Sequence, residues 1–428
     1  MKFFFPDSQD LVSPTYDFLR DEYSPLRVRQ RDDLYAHEVL DEPPYDGILV
    51  SKAIVDGNIN GTGKYSEPQR QRMYRLGVTE FFRLPKGALS LGDCGAFNYV
   101  NEVEPPYTID EVVSFYQGCG FQSGISIDHI ILGYDPSIAD EDVNPVWEFR
   151  QNLSLRLAAE FKEEVESRGN PFTAVAAAQG WSPASYALSV AELQALGYRN
   201  IALGGMVTLK TPEILNCLAA VAEVRTAETE LHLLGVTRVE SMPAFADFGV
   251  TSFDSTTPLR QAFMDDKANY HTASGYYNAI RVPQVDGNPG LKRSILAGDV
   301  SQTEAVDLER STLRALRAFD RGEVSAEVTL NCVLAYEALV NSGKKSYAEQ
   351  YERVLNDAPW KWCSCCLCRD LGVEIIIFRG TERNKRRGFH NLQVLAAKVR
   401  AKSRISKRRQ LKNVAIKKVN DMQGASNG

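Results

Sequence analysis

Between residues 88 and 255, short apolar runs alternate with amphipathic helical stretches, and this rhythm restricts the possible folds more than any other feature. The runs are ALSLGDCGAF (88–97), GISIDHII (124–131), FTAVAAAQG (172–180), NIALGGM (200–206), ELHLLGV (230–236) and VTSFDS (250–255). They are continuously apolar rather than alternating, as parallel strands buried on both faces are. Helical patterns follow them: IDEVVSFYQGCG with Thr108 as N-cap, the long segment 145–169, SPASYALSVAELQALGY, TPEILNCLAAVAEV, VESMPAFADFG and LRQAFMDD. The spacing is that of βαβ units. An open doubly wound sheet would show the same rhythm. Polar or glycine residues, however, recur at the C-terminal ends of successive strands: Asp93, Asp128, Gln179, Gly204-Gly205 and Asp254. They converge on one mouth only if the sheet closes, which predicts an α/β fold, a (β/α)8 TIM-type barrel.

The flanks are less regular. Residues 1–45 read as an irregular N-terminal layer with a short strand or two, YDGILVSKAIV (45–55) as a strand, and SEPQRQRMYRLG (66–77) as a helix ended by Gly77. Residues 283–300 form a Gly/Pro-rich linker or insertion, and 303–355 are helical with heptad-like spacing, expected to pack as outer helices. The division is then 1–355 for the barrel with its N-terminal layer and outer helices, 356–395 for a metal-binding subdomain, and 396–428 for a basic helix or tail. No apolar run approaches the roughly 18–20 residues of a membrane span. The opening MKFFFPDSQD is too short for a signal core and meets acids at once. A cytoplasmic location without a membrane partner is the expectation.

Charge is unevenly placed. Residues 379–428 carry fifteen Lys and Arg against Glu382 and Asp421, a net of +13 in a chain of net −6, so the remainder carries −19. An acidic body with a basic end suggests a polyanionic partner held at the C-terminus; the alternative is a solubilising tail.

Of eight cysteines, Cys94, Cys119, Cys217 and Cys332 are isolated, whereas Cys363, Cys365, Cys366 and Cys368 are clustered. C-x-C-x2-C from Cys363, Cys365 and Cys368, with His390 downstream, supplies three thiolates and an imidazole. That donor set closes a tetrahedral site suited to structural zinc, Zn(2+), with no position open for catalysis. Cys366 is surplus and could replace Cys365 or Cys368. The intervening GVEIIIF reads as a strand and RGTERNKRRG as a basic loop, which the metal would clamp as a platform presenting cations.

The run ending in Phe253-Asp254-Ser255 is followed by two threonines and a proline. Position alone leaves Asp254 either a residue of the barrel mouth or an N-cap of the next helix.

The ordered set GDCGAF, SIDH, AAQG, GGM, HLLGV, FDS-TTP and C-x-C-x2-C…HN resembles the tRNA-guanine transglycosylase family over roughly residues 85–395. The opening FFPDSQD and the degenerate barrel motifs look more like its DNA-modifying branch, the DNA-guanine transglycosylases. The resemblance implies that Asp254 attacks C1′ of the target nucleoside, expels guanine and forms a covalent glycosyl-enzyme, which a 7-deazaguanine then discharges. It assigns Asp93 as the acid/base residue. Asp128 would accept hydrogen bonds from the guanine-like N1–H and exocyclic amine, while Gln179 and the backbone at Gly205-Met206 would meet the ring oxygen and the C7 region. Phe97 and Leu234 would sandwich the base; for Phe97 the alternative is core packing. His129 and His232 read as structural strand-end histidines.

The departures carry information. The family's S-D-S-G-G-F-Q is here G-D-C-G-A-F-N, so Cys94, Ala96 and Asn98 alter the pocket wall. Cys94 lacks a neighbouring charge in sequence that would lower its pKa for nucleophilic attack. Where relatives using an aminomethyl-deazaguanine carry a glutamate, this chain carries Lys210. A cation there would repel an ammonium and tolerate a neutral nitrile, so 7-cyano-7-deazaguanine (preQ0) is the expected incoming base. DNA is the expected polymer and tRNA the alternative, and a partner ATPase/nuclease-like protein is implied by resemblance alone. A reading from another class is an inactive barrel used as a nucleic-acid-binding scaffold.

Overall fold

The structure, a computed structural model, describes residues 1–58, 61–264, 268–341 and 345–424. The chain divides into two compact units: Met1–Ser8, Tyr45–Thr256 and Ala397–Gly428 make the first, Gln9–Pro44 and Thr257–Ala396 the second.

The first unit is a closed barrel of eight parallel strands. They are β1 (Lys2–Pro6), β2 (Gly47–Ser51), β3 (Leu89–Asp93), β4 (Ser123–Ile125), β5 (Thr173–Ala178), β6 (Asn200–Leu203), β7 (Glu230–Leu233) and β8 (Val250–Asp254). Each pairs with its neighbour in sequence, and β1 pairs with both β2 and β8, closing the ring. The open-sheet alternative is thereby removed. The MKFFFP segment, read above as part of an irregular layer, is the first barrel strand. Phe3, Phe4 and Phe5 are all buried, as a strand covered on both faces requires.

Alternate positions along the strands meet inside the barrel. Phe4, Leu49, Leu91, Ile125, Val175, Ala177 and Ala202 form one apolar cluster drawn from six strands, with Leu234 packed against it. The side chains at the C-terminal strand ends therefore stand on a filled core, not over a pore.

The connecting helices are α1 (Glu67–Phe81), α2 (Ile109–Gly118), α3 (Pro145–Ser167), α4 (Pro183–Ala195), α5 (Thr211–Val224) and α6 (Met242–Asp247). Thr108 caps α2 as expected, its hydroxyl accepting from the Glu111 amide at 3.2 Å. Gly77 breaks α1 with φ of 73°, but one further helical turn follows it. The expected strand over 124–131 is shorter than its apolar run. The Ala177 amide bonds the Ser126 hydroxyl at 3.0 Å instead of a backbone carbonyl, so the ladder stops and residues 126–131 are released toward the mouth.

In the second unit, residues 289–297, expected to be linker, form α7 (Pro289–Ala297), capped by Asn288. It precedes α8 (Gln302–Asp320), α9 (Ala326–Asn341), α10 (Ala348–Asp357) and α11 (Cys366–Leu371). GVEIIIF is not a full strand: Gly372–Ile376 is a 3-10 helix and only Ile377–Phe378 pairs, with Ile280–Arg281. The Val373 amide and the Trp360 indole both donate to Asp320 of α8, at 2.9 and 2.7 Å, which favours the tight turn over an extended chain.

The basic segment after it is likewise no loop. It begins α12 (Gly380–Gly424), and its cations face inward. Arg379 pairs with Asp21 and Glu309 at 2.6 and 2.7 Å, and Arg383 with Glu374 at 2.6 Å and with Asp21. Arg386 pairs with Glu382, whose carboxylate also accepts from the Ser13 amide at 3.1 Å. Arg387 is fully buried, and its two terminal nitrogens donate to the carbonyls of Ile377 and Ala262 and to Asn384, at 3.1, 2.6 and 2.6 Å. Burial, with the charge of Arg383 added, pushes its pKa down to about 9. Arg379, Arg383 and Arg386 hold residues 9–44 to the start of α12, so the expected platform of presented cations is not formed here. The side chains of the basic tail beyond Ser403 lie outside the described residues. Among the described residues, no helix is long and apolar enough to cross a membrane.

Candidate active site and metal centre

Three carboxylates meet at the C-terminal mouth of the barrel. Asp93 ends β3, Asp254 ends β8, and Asp128 lies just past β4. Asp93 is half-buried, and its pKa is raised to about 7 by burial and by the neighbouring charges of Asp128 and Asp254, against the pull of the Gly95 and Cys94 amides. A carboxyl poised near neutrality can give or take a proton at physiological pH.

Asp128 is 3% exposed. One oxygen accepts from the Gln179 amide nitrogen at 2.5 Å, the other from the Cys94 thiol at 3.3 Å. Burial raises its pKa, and these two donors oppose the rise. Gln179 is itself fixed, its amide oxygen accepting from the Ile131 N–H at 3.1 Å. Cys94 takes a hydrogen bond from the Tyr99 hydroxyl at 3.0 Å, and burial beside Asp128 and Asp93 pushes its thiol well up. It therefore remains a thiol and a donor, not a nucleophile.

The turn after Asp93 needs its glycine. Gly95 has φ of 88°, and a Cβ there would fall 2.2 Å from the Ser51 hydroxyl oxygen. This left-handed residue swings out the 3-10 turn Ala96–Tyr99 and leaves Phe97 54% exposed, whereas Tyr99 is buried. Phe97 is therefore no part of the core. Gly205, at φ of 72°, approaches the Ile131 carbonyl so closely that a Cβ would lie 2.5 Å from it. Met206 is buried behind that turn. Leu234 lies half-buried on the barrel core beside the mouth. Lys210 is exposed at the start of α5, its amide bonded to Glu213 at 2.6 Å.

Asp254 is 6% exposed. Its Oδ1 accepts from the Gly235 amide at 2.9 Å and meets His232 Nε2 at 3.2 Å. These bonds run sideways to β7 and the turn after it, as suits a side chain facing the mouth. His232 was read from sequence as structural, and its contact with Asp254 escaped that reading. The signal lies in register: Ser252 pairs with His232 across the ladder, and Asp254 stands two residues on, on the same face. His129 is structural as expected, its Nε2 lying 2.9 Å from the Glu102 carbonyl.

In the second unit, Cys363, Cys365, Cys368 and His390 bring their ligand atoms within 4.8 Å of one another. The three sulfurs lie 3.7, 3.4 and 3.4 Å from His390 Nδ1. A tetrahedral ion with bonds of about 2.3 Å to sulfur and 2.0 Å to nitrogen has S···N edges of about 3.5 Å, so the group fits a metal. His390 Nε2 lies 2.8 Å from the His271 carbonyl, which places its proton there and leaves Nδ1 bare for a ligand bond. Cys366 is outside the group, its thiol donating to the Val39 carbonyl at 3.4 Å. Asn391 supports the site by bonding Pro258, Asn269 and His271, a role its sequence position did not disclose.

No protein-family model matches the chain. Among curated proteins it is similar to one from Salmonella montevideo described as a DNA-guanine transglycosylase. The two are 50% identical over 402 residues, which cover 92% of this chain and 95% of that protein.

Proposed function

Because the chain belongs to the DNA-modifying branch of the guanine transglycosylase family, and so is a glycosyltransferase, we propose that it exchanges guanine in DNA for a 7-deazaguanine by double displacement. The observation that carries this mechanism is the convergence of two carboxyls, at the ends of β3 and β8, on one mouth. Asp93 is held near neutrality, beside the hydrogen-bonded carboxylate of Asp254.

Asp254 attacks C1′ of a deoxyguanosine that has left the base stack. The C1′–N9 bond breaks as the C1′–O bond forms, and Asp93 gives its proton to the departing guanine. The incoming base then passes its N9 proton to the Asp93 carboxylate and attacks C1′, releasing Asp254. Asp128, oriented by Gln179 and Cys94, receives the N1–H and exocyclic amine of the base. Gln179 and the turn at Gly205-Met206 face the ring oxygen, and Phe97 and Leu234 cover the two ring faces. Lys210 favours a neutral substituent at C7, so 7-cyano-7-deazaguanine is the incoming base. The Cys/His group takes structural zinc. The basic end of α12 contacts the DNA backbone, and a partner ATPase/nuclease-like protein acts with the enzyme.

The test offers duplex DNA and tRNA side by side with labelled guanine or 7-cyano-7-deazaguanine. Label entering DNA, with a covalent protein–DNA adduct that vanishes in Asp254→Asn, is the expected result. Label entering tRNA alone would overturn the choice of polymer. Binding without exchange, in the presence of the partner, would favour a scaffold.

A further inference from the structure

We infer that His232 is a positioning residue that selects which oxygen of Asp254 attacks and which remains behind. The inference rests on the assignment of Asp254 as nucleophile. Oδ1 is the oxygen bonded to Gly235 N–H and His232 Nε2, at 2.9 and 3.2 Å. A carboxylate only accepts, so Nε2 carries a hydrogen toward it. The other ring nitrogen meets the Ser252 hydroxyl at 2.8 Å, and a serine hydroxyl can donate to a bare Nδ1. Ser252 thus supports the tautomer that faces the carboxylate.

The ring has little freedom to turn. His232 is 4% exposed, and Phe4 of β1 packs against it edge-on at a centroid separation of 5.8 Å. Phe4 is also the ladder partner of Asp254. Two donors fixed on Oδ1 leave Oδ2 to form the bond to C1′, and Oδ1 becomes the carbonyl oxygen of the ester.

The same donors act unequally on the two half-reactions. They hold negative charge on the carboxylate, which restrains its attack and assists its departure. Losing one of them slows discharge of the covalent intermediate.

The experiment forms the adduct on duplex DNA and then adds unlabelled guanine to discharge it. In His232→Leu the discharge rate is expected to fall about 10–100-fold, the worth of one hydrogen bond to a charge, so that adduct accumulates in the steady state. KM for the base should move less than about threefold, because His232 does not face it. His232→Gln, which offers an amide N–H near the same place, should recover most of the rate, whereas a merely structural loss would not be rescued this way. Discharge at the wild-type rate in His232→Leu, or a Gln variant no faster than the Leu variant, would overturn the inference. Asp254→Asn separates the two levels: if it still forms adduct, the nucleophile assignment falls and this inference with it. If only the His232 variants behave as wild type, the nucleophile stands and the positioning role alone is lost.

Discussion

Gln179 reaches Asp128 across 2.5 Å while its amide oxygen accepts from the Ile131 N–H at 3.1 Å, so one side chain joins the ends of two barrel strands. Both of its polar atoms are committed before any base arrives. Gln179→Leu should therefore damage more than a contact to the base. It leaves the Ile131 amide and one Asp128 oxygen unpaired in a buried place, at a cost of about 1–3 kcal/mol each. A lower unfolding midpoint together with a raised KM for the base is expected; a change in KM with unaltered stability would count against this reading.

Removing the nucleophile has a different signature. Asp254→Asn keeps the size of the side chain and an acceptor for Gly235 but cannot form the ester. Exchange should drop by on the order of 10³-fold or more, with binding of the base little affected. Trapped adduct and label exchange, measured on one preparation, check this.

Asp93 links activity to pH and pH to stability. Its folded pKa of about 7 lies above the ordinary aspartate value of 3.8, so between those limits the folded chain binds the proton more tightly than the unfolded one. Stability attributable to this group therefore falls as pH rises from about 4 to about 7 and is level beyond. Asp93→Asn, which never ionises, should gain relative to wild type across that window, by on the order of 2–4 kcal/mol at its upper end. First-step activity of the wild type should decline as pH rises through 7, since the acid form is lost. Unfolding midpoints and single-turnover rates across pH 4–9 read both effects, and a stability difference that is flat with pH would remove the argument.

Metal content should follow the side-chain geometry. One zinc per chain is expected in the wild type and in Cys366→Ser, whose thiol turns to the Val39 carbonyl, but not in Cys365→Ser. Chelation should lower the unfolding midpoint of the wild type, because binding of a structural metal contributes to folding free energy. Elemental analysis with thermal unfolding distinguishes these cases.

Lys210→Glu should shift the preference of the enzyme from a cyano toward an aminomethyl 7-deazaguanine, by roughly 2–5-fold, since an exposed ion pair contributes up to about 1 kcal/mol. Competition between the two bases measures it, and an unaltered ratio would disconnect Lys210 from the choice of substituent.

Much of the barrel was legible because its signals are local: apolar runs, helix caps and a polar residue or glycine at the ends of five strands. The cysteine spacing was equally direct. What escaped depends on distance along the chain. β1 gives little local sign of its role, since one of its partners, β8, is some 250 residues away in sequence. His232 looks like any polar residue in a strand until its register with Ser252 is known. The run Arg379–Arg387 reads as exposed because the acids that pair with it, Asp21, Glu309 and Glu374, come from remote segments. GVEIIIF misled for another reason: a buried 3-10 turn and a buried strand require the same apolar residues.

The inward-facing arginines of α12 also bear on how association with a polyanion depends on ionic strength. Counterions released on binding come from cations that reach phosphates, and salt acts within a Debye length of about 8 Å on charges in water but weakly on buried pairs. Arg379, Arg383, Arg386 and Arg387 are at most 6% exposed and are already committed within the second unit. They should contribute nothing to the slope of log affinity against log salt. Lys385 is likewise held, donating to the carbonyls of Gln9 and Leu11. A charge count over residues 379–428 therefore overstates this segment's contribution to the slope, whose ceiling is the ten Lys and Arg from Lys398 onward.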